Sequence, residues 1–250
     1  MESAWKRFQG LLAELVTELR VLRLPVDQGE PLAGAVARRM VSACAPFAPR
    51  FITPMAAVAG AVADEIIGCF RVPGIDKAYV NNGGDIALHL TPGTSFRVGL
   101  CANAGGKPWK SLALDGAFEV DSTQSVRGIA TSGWQGRSFS FGVADAVTVL
   151  ATTAAGADAA ATMIANAVNV ESPAVLRRPA NSIKDDTDLG ERLVTVDVGR
   201  LSPEEVARAL ECGQRCAQGM VTDALIAAAV LILQGEVVTV GAMEPPRLAP

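Results

Sequence analysis

The segment GADAAATMIANAV places Asp158 and Thr162 four residues apart in a stretch otherwise almost devoid of polar side chains. Ala, Met and Ile dominate it, and neither Gly nor Pro falls between Asp158 and Asn169, so the composition predicts a helix. Residues at i and i+4 share one helix face and lean toward its N-terminus, so a carboxylate and a hydroxyl converge on one point. Such a pair is half of a site for a hard cation. Mg²⁺ takes one or two protein oxygens and completes its octahedron with water and substrate phosphate. The competing assignment, and the commoner one for an Asp near a helix start, is a cap or a partner of the helix dipole.

Two glycine-rich segments could supply the rest of a site. In VNNGGDIAL, Gly83 and Gly84 allow a turn with positive φ and close approach of a ligand to bare amides. Asp85 directly after them could hold a ribose hydroxyl or simply cap the turn. In ATSGWQGRSFSFG, residues 130–142, Thr131 and Ser132 offer hydroxyls and Gly133 and Gly136 a bend. Trp134 offers a flat ring, and Arg137 a charged fork suited to phosphate or carboxylate. A hairpin turn with an exposed Arg explains this segment equally well. The acidic run DDTDLG at 185–190 lacks the register of a calcium loop and reads as solvated surface.

The elements that must position these residues are legible in outline. Leu and Val recur at helical spacing over 7–23, predicting an amphipathic helix, and a second helix is expected from Pro31 to about Ala45. Pro46, Pro49 and Pro54 then make an extended connector. PMAAVAGAVADEIIGCF, 54–70, reads as a buried helix crowded with small residues, with Gly60 and Asp64 standing out. Strand signals follow: AYV, a turn at NNGGD, IALHL, FRVGLCA, a loop at AGGKPWK, LAL and AFEV, with VRGIAT and the run SFSFGVADAVTVLA adding one or two more strands. After the helix carrying Asp158, the stretch SPAVLRRPANSIKDDTDLGE reads as irregular and RLVTVDV as a strand. SPEE at 202–205 is a helix start, and AAAVLILQGEVVTVG two strands joined at Gln234-Gly235. This order predicts an α+β fold with a mostly antiparallel sheet, in one domain over 1–250. Its motif-bearing core is 50–170, followed by a strand–helix–hairpin segment over 171–244.

Composition closes several classes. Half of the residues are hydrophobic, 19% are charged and the net charge is −4, with no basic cluster longer than a pair. Nucleic acid is therefore not expected as a partner. The charged start MESAWKRFQG has no apolar signal stretch, and the longest apolar run, Ala224 to Leu233, is half a membrane span. A cytoplasmic protein without membrane contact is expected, with a small nucleotide or metabolite as partner and self-association left open. The five scattered cysteines read as buried free thiols. The single histidine, His89, alternates with apolar residues in IALHL and reads as a strand residue, which argues against a Ser-His-Asp or Cys-His hydrolase. No G-x-G-x-x-G joins a strand to a helix, which argues against a Rossmann site.

Taken in order, TPMAAVAGAVADEI, AYVNNGGDIAL, GIATSG and GADAAATMIANAV resemble the motifs of the FAD:protein FMN transferases, the ApbE-type flavin transferases. The similarity is greatest to an uncharacterised branch of that superfamily, which shares PMAAVAGA, NGGDI and G-x-S-x-SFG-x-ADAV. The resemblance implies an ApbE-like fold with a ligand cleft between two lobes, lined by residues 55–60, 82–85, 131–137 and 158–162. It implies FAD or FMN as ligand and Mg²⁺ as cofactor. The metal would be held by Asp158, Thr162 and a main-chain oxygen near Val58, and the flavin nucleotide would lie along Gly83, Gly84, Asp85, Thr131, Ser132 and Gly133. FAD pyrophosphate cleavage or FMN transfer is the implied reaction, with Arg137 stabilising charge and Asp145 as the acid retained in SFSFGVADAV. This sequence departs from the transferases in two places. Ala59 stands where they carry a Lys, and their His-x-x-Asp-Pro-x-Thr-Gly segment has no His, Pro or Thr-Gly here. Transfer to a protein acceptor is thereby placed in question. Two rivals remain: a non-catalytic flavin or metabolite binder on the same scaffold, and an enzyme for a small carboxylated metabolite anchored by Arg137.

Overall fold

The computed structural model describes residues 1–100 and 116–241. The expected loop AGGKPWK, the strand LAL, Cys101 and the tail from residue 242 lie outside the described residues. Six helices and ten strands are formed by the described ones, giving an α+β protein. They divide into two compact units. The first holds Met1–Ser95, Asp121–Ala130 and Leu150–Ala160, and the second holds the described residues of Phe96–Val120, Thr131–Val149 and Ala161–Pro250.

In the first unit the expected N-terminal helix begins earlier and breaks sooner than its periodicity suggested. It spans α1, Glu2–Thr17, followed by the single turn α2, Leu19–Leu22. The break falls at Glu18, whose carboxylate accepts from the amides of Ala33 and Gly34. That anchors the entry to α3, Ala35–Cys44, which starts four residues after Pro31. The proline connector is not simply extended. It forms short 3-10 turns at Ala45–Phe47 and Pro54–Ala57, and the second leads into α4, Val58–Ile67. Arg7 of α1 bonds Glu14 on its own helix at 2.7 Å and Glu65 of α4 at 2.7 Å, while Arg39 of α3 reaches Glu65 at 3.0 Å. These half-buried ion pairs tie the three helices together.

The strands β1, Lys77–Asn82, and β2, Asp85–Leu90, form an antiparallel hairpin in which Asn82 faces Asp85. The expected turn lies at its tip, with φ of 74° at Gly83 and 116° at Gly84. β3, Ser95–Leu100, pairs with β4, Gly116–Asp121, as a separate two-stranded sheet. β5, Gly128–Ser132, and β6, Ala146–Ala151, follow, and then α5, Ala154–Ala167. The residues between β5 and β6 contribute no second strand. α5 is buried on nearly all sides, including Ala154, Ala155, Ala157, Ala159, Ala160 and Ala161. Its alanines are therefore packing residues, small because neighbouring backbone lies close.

In the second unit, part of the stretch read as irregular is a strand. β7, Val175–Pro179, pairs antiparallel with β8, Leu193–Val198. Arg177-Arg178-Pro179 conceals it, because three of its five residues are polar or imino acids atypical of strands. α6, Pro203–Thr222, starts as expected: Ser202 and Glu205 form a reciprocal capping box with Pro203 at the first helical position. β9, Ala228–Leu233, and β10, Glu236–Gly241, are joined by Gln234 and Gly235, both at positive φ. The hydrogen-bonded order of the main sheet is β1-β2-β5-β6-β9-β10.

Candidate functional site

The first unit brings three of the sequence-selected segments together around the N-termini of α4 and α5. Asp158, in the second turn of α5, accepts the Gly60 amide of α4 on Oδ2 at 3.0 Å and also bonds the Ala59 amide. Asp64, in the second turn of α4, accepts the Ala154 and Ala155 amides of α5 at 3.0 and 2.9 Å. Each helix thus lends a carboxylate to the open first turn of the other, where unpaired amides and the positive dipole end favour an anion. Thr153 completes the α5 terminus by accepting the Gly156 amide at 3.0 Å. The helices approach closely because position 60 has no side chain. A Cβ there would lie 2.7 Å from the Ala155 nitrogen and closer still to the Ala154 carbonyl.

Asp158 is therefore a cap, but of α4 rather than of its own helix. That does not exhaust it. Its pKa is raised well above the ordinary carboxylate value, chiefly by desolvation and then by the negative charge of Asp85, against the pull of the Gly60 and Ala59 amides. Asp85, half-buried at the start of β2, thus acts on Asp158 as a like charge. The Asp158 charge in turn, after desolvation, raises the thiol of Cys44, which donates to the Thr53 carbonyl at 3.4 Å. Asp64 is raised too, mainly by burial, with the Ala155 and Ala154 amides and the charges of Arg39 and Arg71 opposing.

The glycine turn sits against the same helix end. Asn82 donates through Nδ2 to the Ala59 carbonyl at 3.1 Å, linking the hairpin tip to the first turn of α4. Asn81 caps the turn, accepting the Gly84 amide at 2.8 Å. A side chain at Gly84 would meet nothing within 4 Å, so the space beside the turn is open. Val58 is the first residue of α4 and is half-buried. Thr162 lies one turn beyond Asp158 in α5 and is half-buried.

In the second unit, Trp134 donates through Nε1 to Asp145 Oδ1 at 3.2 Å, and the Gln234 amide donates to Asp145 Oδ2 at 2.6 Å. Both oxygens of Asp145 are thus engaged in holding the 134 segment and the β9–β10 turn. Gly133 is buried, and a Cβ there would lie 2.9 Å from the Asp145 carbonyl carbon. Thr131 shares a 2.8 Å hydrogen bond with Thr148, Ser132 is half-buried, and Arg137 is exposed. His89 lies on β2 with Nε2 3.0 Å from the Ile75 carbonyl. Of the cysteines, Cys44 is buried, whereas Cys69, Cys212 and Cys216 are half-buried, which corrects the expectation that all are interior.

Sequence reasoning singled out Asp64 without giving it a role, and placed Asn81, Asn82 and Gln234 in turns without giving their side chains or amides a task. The repeated spacing of Gly60 to Asp64 and Ala154 to Asp158 was the available signal: a small residue in the first turn, then a carboxylate one turn later.

The donor set suits a hard cation. Asp85 and Asp158 offer oxygen only, and among the described residues no group of three His, Cys, Asp or Glu side chains gathers.

The chain is thus an α+β protein with a carboxylate pair at the meeting of two helix N-termini. A family model described as AbpE bacteria matches residues 1–239, and the chain belongs to that family. Curated relatives carry the name UPF0280 protein. The one from Methanothrix thermoacetophila is 40% identical over 150 residues, 60% of this chain and 57% of the relative. Those from Methanosarcina acetivorans and Methanosphaerula palustris are 40% identical over 144 residues (57% of this chain, 53% of the relative) and 42% identical over 118 (47% of each). The chain spans about half the length of the curated relatives it matches. No helix among the described residues is long and apolar enough to cross a membrane.

Proposed function

We propose that this protein binds a divalent cation, Mg²⁺ by its donor chemistry, at Asp158 and Asp85, and with it a phosphate-bearing nucleotide of the flavin class, FAD or FMN. The observation that carries the reading is the Asp85–Asp158 pair. Asp158, fixed by the Gly60 amide at the start of α4, feels the like charge of Asp85, and a cation relieves that repulsion. The Val58 carbonyl supplies a neutral oxygen ligand. The flavin class rests on the ordered motifs that resemble the ApbE-type transferases, together with the AbpE bacteria family.

In this reading each residue has a task. The bond from the Gly60 amide to Oδ2 fixes the Asp158 carboxylate at the start of α4, where it would meet the cation. Asn82 holds the Gly83-Gly84 turn against α4, beside the capped carboxylate of Asp158. When bound, the cation would polarise a phosphoryl oxygen, and FAD pyrophosphate cleavage or FMN transfer is the candidate reaction. A non-catalytic binder is the second reading. It is favoured by Asp145, the one acid in the segment where the transferases carry more, because both its oxygens hold Trp134 and Gln234.

The test is titration of FAD into the protein with and without Mg²⁺, with chromatography for AMP and FMN. Mg²⁺-dependent binding that Asp158→Asn abolishes supports the site. AMP release adds the reaction, and binding without turnover selects the binder. Absence of any FAD or FMN binding with Mg²⁺ present sinks the flavin assignment.

A further inference from the structure

The first helix carries an apolar face that the fold does not cover. Ala4 and Leu11 turn inward, and α1 packs on α3 and α4. Beside that buried face runs a second stripe: Trp5, Phe8, Leu12 and Val16 are 60%, 52%, 73% and 56% exposed. Trp5 and Phe8 stack with ring centroids 6.1 Å apart. Met1, Trp5, Phe8 and Leu12 follow each other at intervals of four, three and four residues, the spacing of a coiled-coil seam. Isolated exposed apolar residues are ordinary, but a continuous seam of this kind marks a contact surface.

We propose that this seam pairs with the α1 of a second copy of this chain, antiparallel and related by a two-fold axis near Phe8 and Gln9. Turned end for end, Trp5 meets Leu12 of the other copy, Val16 lies over its Met1, and the two Phe8 rings meet at the axis. The charges favour this occupant. α1 contains two acids and two bases, Glu2, Lys6, Arg7 and Glu14, and all are paired within the chain: Lys6 with Glu2 at 3.2 Å, Arg7 with Glu14 and Glu65. A partner therefore meets no unbalanced charge. The antiparallel arrangement also sets Lys6 level with Leu11 of the other copy rather than with another cation, and the two helix dipoles run head to tail. An anionic membrane would need a basic surplus on the polar flank, which α1 lacks. The stripe offers about 500 Å² per copy, on the order of 1,000 Å² in all, at the low end of specific interfaces, which makes the dimer a reversible one.

Sedimentation equilibrium on the full chain from about 1 to 300 µM spans the range where such a dimer forms and dissociates. The mass should rise from one chain toward two. Phe8→Glu/Leu12→Glu, with a retained thermal melt, should raise the dissociation constant more than tenfold. Should that double variant not fold, a second pair of variants decides. Gln9→Cys should cross-link to a covalent dimer under mild oxidant, and Ala13→Cys, equally exposed but off the axis, should not. A chain monomeric throughout, a folded double variant that dimerises like the wild type, or equal cross-linking at both positions overturns the proposal. So does a monomer that pellets with phosphatidylglycerol vesicles through Phe8 and Leu12.

Discussion

Replacing Gly60 with alanine sets two effects against each other, and the structure says which wins. In an exposed helix the change should stabilise by about 0.8–1 kcal/mol, since alanine loses less backbone entropy. At position 60 the added methyl falls on the first turn of α5, with the Ala155 nitrogen at 2.7 Å and the Ala154 carbonyl nearer still. That obstacle is backbone and cannot rotate away, so α4 and α5 must separate. Overpacking of this kind costs about 1–3 kcal/mol. Separation also stretches the bonds from Asp64 to Ala154 and Ala155 and from Asp158 to Gly60, each exchange a cap worth roughly 0.5–2 kcal/mol. The net expectation is a loss of about 2–4 kcal/mol, or a melting temperature lower by roughly 5–15 °C for a chain of this size. Gly10→Ala is the internal control. It lies in α1 with nothing within 4 Å of a new Cβ, so only the propensity gain operates and it should stabilise. Urea titration of both variants beside wild type measures this. A Gly60→Ala protein as stable as wild type, with an unchanged denaturant slope, would show that the helices do not touch as described.

Three further outcomes are expected. Burial and the charge of Asp85 raise the Asp158 pKa, so the native state binds that proton more tightly than the unfolded chain. The resulting stability is complete below the ordinary Asp value, about 3.9, and is lost as pH rises through the raised native value. The stability of Asp158→Asn relative to wild type should therefore grow as pH rises from about 4 to 7, by urea midpoints, and a flat difference would count against the carboxylate pair. Ser202→Ala removes half of the α6 capping box and should cost about 1 kcal/mol in the same assay without altering FAD binding. Gly84→Ala places a side chain at φ 116° in otherwise open space. It should cost about 1–3 kcal/mol through backbone strain alone, and calorimetry finding no loss would mean that the turn relaxes into another type.

The hairpin at Gly83-Gly84 and the start of α6 were legible because their signals are local. A positive φ asks for Gly, and Ser-Pro-Glu-Glu satisfies its own amides within four residues. β7 was missed because its pairing partner β8, not its own Arg177-Arg178-Pro179, makes it a strand. The site was legible as a set of residues but not as a set of bonds. Asp158 was chosen for its spacing from Thr162, yet its observed partner, Gly60, is 98 residues away. Asp85 was read as a ribose contact or a cap for its turn, and it is Asn81, four residues earlier, that accepts the Gly84 amide. No period in the sequence encodes which helix will lie across which. Side chains that bridge distant segments are therefore the part that only the fold discloses.

The exchange of carboxylates between α4 and α5 also bears on the order of events during synthesis. Residue 60 leaves the ribosome well before residue 158, and at about 5–20 residues per second the 98 intervening residues take on the order of 5–20 s to emerge. Throughout that interval the amides of Ala59 and Gly60 lack their acceptor, and Asp64 has no α5 to receive it. The nascent chain meanwhile exposes an alanine-rich helix whose apolar face, including Ala61, Ala63, Ile66 and Ile67, is buried only in the finished molecule. Ten residues are too few for such a helix to persist alone in water. The first half of this protein is thus held in an unfinished state until its partner helix is made. Chaperone binding or proteolysis of the growing chain would act on the 58–67 segment first.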